Sequence, residues 1–208
     1  MQSYRWHPSI TASMFGPVVG AMPVHLQQSD LDGACGTHCA LMALMAFGIV
    51  HRDELDCLPR ARKKRLTALW RRTERHYFRG LYAGQLQSVL EPYAKDLICA
   101  IERSDCIKRA LDVLQVSGLG IVNIRNDEIN HWVLAVGSGG TEKDTRYRPA
   151  WMLILDPSHG AIPLTPWNGL LSVRRDRKQR HAYDTPDGRL RVAIECVISL
   201  VRSNHGRN

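Results

Sequence analysis

The chain has 208 residues, a length that suits one domain with one core. Hydrophobic residues make up 44% of it and charged residues 23%, an ordinary balance for a packed protein and one that argues against global disorder. The net charge of +8 admits nucleic acid, anionic lipid or an acidic protein as partner, because charge bears on association rather than on fold.

No run approaches the roughly 20 apolar residues of a membrane-spanning helix. Residues 1–23 are interrupted by Pro8, Gly16, Pro17, Gly20 and Pro23, which predicts an irregular N-terminal segment without a signal peptide or anchor. Six cysteines (Cys35, Cys39, Cys57, Cys99, Cys106, Cys196) are too sparse for a disulfide scaffold. Reduced thiols and a cytoplasmic location are expected, with a secreted effector or toxin also compatible.

In chain order, "THCALMALMAF" (Thr37 to Phe47) is apolar nearly all round and stops at Gly48, the pattern of a buried helix with a glycine C-cap. Cys35 stands at its N-terminal end. The block from Arg60 to Arg79 is densely basic, yet Leu66, Leu69, Trp70, Thr73 and Tyr77 recur at helical spacing. It reads as a helix with one stripe on the core and a solvated cationic face. The block lacks the interleaved aromatics of a single-strand groove and matches no nucleic-acid module, which argues against nucleic acid.

"GLYAGQLQSVLEPYAKDL" predicts a short helix opened after Gly84, and "SDCIKRALDVLQ" one capped by Ser104 or Asp105. The texture then changes to strand-like runs: "GIVNIR", "HWVLAVG", "WMLILDP" and "RVAIECVISLVR". "GSGGTEKDTRYRP" reads as a polar glycine-rich connection, with an extended loop over Ser138 to Pro149. "RRDRKQRHAYDTPDGR" reads as a basic excursion before the last strand. Helices first and strands afterwards predict a single α+β domain with an antiparallel sheet.

The chemistry centres on Cys35. A thiol is activated by a helix N-terminus and a nearby imidazolium, and acyl transfer further needs a group to orient the histidine and donors for the oxyanion. His131, opening "HWVLAVG", is the histidine candidate, and Asp156, ending "WMLILDP", is the carboxylate. If their strands are neighbours, Asp156 can accept from one ring nitrogen while the other faces Cys35. A metal clip of Cys35, His38 and Cys39 is the alternative, but three residues separate the cysteines and no second pair matches. No metal or cofactor is expected.

"ACGTHCALMALMAFG", "NHWVLAVG" and "LILDPSHG", in that order, resemble the papain-like peptidase domain at the front of bacteriocin-exporting transporters, the double-glycine leader peptidases. The likeness runs from about Gln27 to Leu170. It implies a papain-like fold, with a buried N-terminal helix carrying the cysteine packed on an antiparallel sheet carrying the histidine and aspartate. It also implies Cys35 as nucleophile, His131 as general base and acid, Asp156 as the orienting residue, and Cys39 as a helix-core residue. The family's glutamine stands six positions before the cysteine, which here is Ser29; Gln28 and Gln27 lie one and two positions further upstream. Gln28 is the oxyanion candidate, with the extra residue absorbed in "SDLDGA". The expected activity is cysteine peptidase action on a protein or peptide, for which the basic exterior suits an acidic partner. Deamidation or transamidation uses the same parts, and a non-catalytic peptide-binding module of the same fold is the remaining alternative.

Overall fold

The computed structural model describes residues 1–56, 58–60, 63–143 and 146–203. Four strands open the chain, β1 (Gln2–Trp6), β2 (Ile10–Ser13), β3 (Gly16–Val19) and β4 (Met22–Pro23). The helices α1 (Cys35–Ala46), α2 (Lys64–Thr73) and α3 (Ala83–Leu90) follow, then β5 (Leu97–Glu102) and α4 (Cys106–Gln115). The rest is strand: β6 (Leu119–Arg125), β7 (Asn130–Lys143), β8 (Arg146–Leu155), β9 (Gly169–Arg175), β10 (His181–Thr185) and β11 (Gly188–Arg202). The protein is therefore α+β around a large antiparallel sheet, and no helix among the described residues is long and apolar enough to cross a membrane.

The eight-stranded sheet runs β1-β7-β6-β11-β10-β9-β8, with β5 added on β11, and β7 also pairs with β8. That last pairing closes β6 to β11 into a ring. Alternation along the strands divides the core in two. Ile121, Trp132, Leu134, Val136, Leu153 and Leu155 pack with α1, while Val122, Val133, Ala135, Met152, Ile154 and Tyr183 gather on the opposite face with Cys106 and Ala110 of α4.

Helix α1 is buried along nearly its whole length, which explains a sequence with no polar face. It ends as expected, with Gly48 in the left-handed region (φ +64°) and its N–H donating to the Met45 carbonyl at 2.9 Å. Helix α2 buries Leu66, Leu69 and Thr73 and leaves its basic residues outward; part of the basic block, residues 61 and 62, lies outside the described residues. Helix α3 starts at Ala83, two residues before the start expected after Gly84. At α4 the N-cap position falls to Asp105, but its backbone is left-handed and its side chain caps nothing, so the expected side-chain cap is absent.

Three expectations are corrected. Residues 1–23 are not irregular: β1 pairs with β7, and β2, β3 and β4 form a small antiparallel sheet. Turn residues marked the ends of these strands rather than a lack of strands. The described part of Ser138 to Pro149 is not a loop either, because β7 runs to Lys143 and β8 begins at Arg146, the two paired with each other. Its glycines serve close backbone approach: a Cβ at Gly140 would lie 2.1 Å from the Arg148 carbonyl oxygen, and one at Gly137 2.3 Å from that of Arg5. The basic excursion after Arg174 contains β10 and its hairpin to β11.

Candidate active site

Two backbone segments meet at the N-terminus of α1. The first is the loop before it, organised by Asp32, whose carboxylate accepts from the Ser29 N–H at 2.8 Å and the Ala34 N–H at 3.0 Å. Burial opposes this charge, but the backbone N–H groups of Ala34 and Ser29 outweigh it and hold the Asp32 carboxyl below its ordinary range. Gly33 passes close under the 78–80 segment, where a Cβ would stand 2.9 Å from Gly80 N and 3.0 Å from the Phe78 carbonyl oxygen. The glycine is needed for this approach rather than for a left-handed turn.

The second segment is the end of β8. Asp156 is 1% exposed and follows Leu155, which pairs with Leu134 of β7. Continued by one residue, that register sets Asp156 opposite Val133, so His131 lies two strand positions further along β7 and on the same face. Its Nε2 donates to Asp156 Oδ1 at 2.7 Å, and the Cys35 thiol lies near enough to act on the charge of its ring. Cys35, His131 and Asp156 are thus gathered in one buried cluster. Burial alone would lower the imidazole. The hydrogen bond donated to Asp156, the Cys35 thiol and the charges of both override it and raise His131 to about 10. For Asp156 burial acts upward, and His131, the Tyr183 hydroxyl and the Ser158 N–H outweigh it to hold the carboxyl below its ordinary range.

Gln28 reaches this site and Gln27 does not. The Gln28 N–H donates to the Pro157 carbonyl at 2.8 Å, and its Nε2 donates to Ser158 Oγ at 3.3 Å. Gln28 lines a cleft of about 570 Å³ together with His131, Asp156, Ser158, His159 and Tyr183. Its Oε1 is buried without a hydrogen-bond partner among the described residues. Gln27 is exposed and turned toward Gly160.

Cys39 is fully buried, and its Sγ donates to the Trp132 carbonyl at 3.3 Å. Burial pushes that thiol well above its ordinary value, as suits a helix-core residue. His38 spends Nδ1 on the Ala34 carbonyl at 2.9 Å. Cys35, His38 and Cys39 therefore do not converge on one point. His159 stands in the turn, 3.8 Å from Asp156 Oδ2 and 3.2 Å from Asp187.

Four residues that sequence reading missed complete the site. Ser158 donates its N–H to Asp156 Oδ1 at 2.8 Å and places its hydroxyl 3.1 Å from His131 Nε2. Tyr183 donates its hydroxyl to Asp156 Oδ2. Asn168 Oδ1 accepts the Asp156 N–H at 2.7 Å, and the Asp156 carbonyl accepts from Asn168 Nδ2 and His25 Nε2, each at 2.9 Å. Only Ser158 had a signal, its place in the turn after Asp-Pro.

A comparison with known proteins finds no family model that matches the chain and no curated protein that resembles it in sequence.

Proposed function

We propose that the protein is a papain-like cysteine peptidase, acting on a protein or peptide through a thioester acyl-enzyme. The observation that carries this reading is the buried His131–Asp156 pair, with the Cys35 thiol near it at the start of a helix. His131 holds the proton of Cys35, and the thiolate adds to an amide carbonyl carbon. The oxyanion rests on the Cys35 N–H, one of the first-turn groups with no partner inside the helix, and on the Gln28 amide. As the tetrahedral intermediate collapses, the C–N bond breaks and His131 gives its proton to the leaving amine. Water then attacks the thioester with His131 as base, releasing the acid and the thiol. Asp156 keeps the imidazole in one tautomer and orientation throughout.

The test is a comparison of new protein N-termini in cells expressing the wild type or Cys35→Ala. New termini that depend on Cys35 support peptidase action. Their absence, with Cys35 still selectively reactive toward iodoacetamide, would replace it by deamidation or transamidation at the same residues.

A further inference from the structure

Asp156 carries more hydrogen-bond donors than the orientation of one histidine requires. Oδ1 accepts from His131 and from the Ser158 N–H, and Oδ2 accepts from Tyr183 of β10, two strands away from β8 in the ring order. We propose that Tyr183 is a positioning residue of the active site, whose hydroxyl locks the second oxygen of Asp156 and so holds His131 in register with Cys35. The proposal rests on the peptidase reading given above.

The ring of Tyr183 is 1% exposed and belongs to the apolar cluster with Met152, Ile154 and Leu171. Apolar packing alone would be served by phenylalanine. The hydroxyl reaches the carboxylate past Gly169, where a Cβ would lie 3.0 Å from Oη and 3.1 Å from Cε2. Burial and the Asp156 charge push the phenol well above its ordinary value, so it stays a donor across the working range of a peptidase. A carboxylate held at one oxygen can rotate about its Cβ–Cγ bond. Held at both, it presents a fixed lone pair to Nε2.

The other charged or titratable groups around this carboxylate leave the hydroxyl without a substitute. His159, from the turn, stays 3.8 Å from Oδ2 and is engaged with Asp187; His25 meets the Asp156 carbonyl instead. Cys35 and Cys39 of α1 act on the pair from the helix side. Arg189, which also lines the cleft, is bound to Asp184.

The test is the pH profile of Cys35 alkylation by iodoacetamide in the full chain, read by peptide mapping, for wild type, Tyr183→Phe, Gly169→Ala and Asp156→Asn. Tyr183→Phe keeps the buried ring and should keep the fold, checked by thermal unfolding. Removing the hydroxyl takes away a group that favours ionised Asp156, so the carboxyl protonates at a higher pH and releases His131 there. The acid limb of the profile should therefore move to higher pH, with the plateau rate lowered about 3- to 10-fold, and Gly169→Ala should shift the limb in the same direction. A Tyr183→Phe profile that coincides with wild type while Asp156→Asn has changed overturns the role of Tyr183 and leaves the peptidase reading standing. A profile indifferent to Asp156→Asn as well overturns both.

Discussion

The backbone N–H of Gln28 donates to the carbonyl of Pro157 at 2.8 Å, tying the loop that leads into the cysteine helix to the turn that follows Asp156. Gln28 and the turn after Asp156 are thus fixed relative to each other by main chain, whatever their side chains do. Substituting Gln28 by alanine leaves that bond in place. Gln28→Ala should cost about 10²-fold or more in turnover, the scale on which a single oxyanion donor acts, while Cys35 alkylation stays near wild type. Gln27→Ala should behave as wild type. A crippled Gln27→Ala beside an active Gln28→Ala would reverse the assignment.

Asp156→Asn places an amide where three donors converge. Either its N–H₂ group faces His131 Nε2, forcing the other tautomer, or it faces the Tyr183 hydroxyl and leaves a donor unpaired. Turnover should fall by about 10²- to 10⁴-fold with the far-UV circular dichroism unchanged. A rate within twofold of wild type would reduce Asp156 to a turn residue.

Thiol chemistry should single out Cys35. Cys39 is buried and its thiol is raised far above the ordinary value, burial lifts Cys99 to about 11, and it raises Cys106 and Cys196 as well. Limited iodoacetamide near neutral pH should label Cys35 at least tenfold faster than these four. Equal labelling of Cys35 and Cys39 would remove the basis for a distinct nucleophile. Cys57 lies outside the described residues.

Stability should fall on the alkaline side. The folded imidazole of His131 stands at about 10, above the ordinary 6.5. Its contribution to stability is complete below 6.5 and is lost as pH rises through about 10. Denaturant unfolding of wild type and His131→Gln should therefore converge between neutrality and pH ~10, because only the wild type carries this group. The remaining buried thiols are common to both proteins and largely cancel in the difference. A constant gap across that range would show that the pair has no raised imidazole.

Gly33→Ala tests the loop before the helix. Its new methyl would press on backbone at Gly80 and Phe78, atoms that cannot swing aside as a flexible side chain would. A loss of about 1–3 kcal/mol in unfolding free energy is expected, with slower Cys35 alkylation. Unchanged stability would mean that the 78–80 segment yields freely.

The parts of the site legible in the sequence are those whose chemistry coincides with an element boundary. Cys35 opens a helix that is apolar nearly all round, and His131 and Asp156 stand at strand ends, so residue type and position point the same way. Gln28 was reachable because only two glutamines precede the helix closely. Tyr183 was hidden because it lies in a stretch whose charge and turn residues mask a five-residue strand. Its partner is chosen by sheet order, which no local pattern encodes. The β7–β8 hairpin was hidden for the opposite reason: glycines that usually mark loops are there to let neighbouring backbones touch. The N-terminal strands likewise take their pairing from β7, far along the chain.

The closure of the ring bears on how the site comes into being. Helix α1 carries the thiol on local contacts, but β11 sets Leu200 opposite Leu119 and Arg202 opposite Leu97, pairings between distant parts of the chain. Such long-range pairs form late, because the intervening chain must first be ordered. Tyr183 meets Asp156 only once β10 is seated between β9 and β11. In refolding from denaturant, helical signal should return before selective Cys35 reactivity does. A newly made chain would then hold Cys35 on its helix early and gain the reactivity of that thiol last, when β11 is in place.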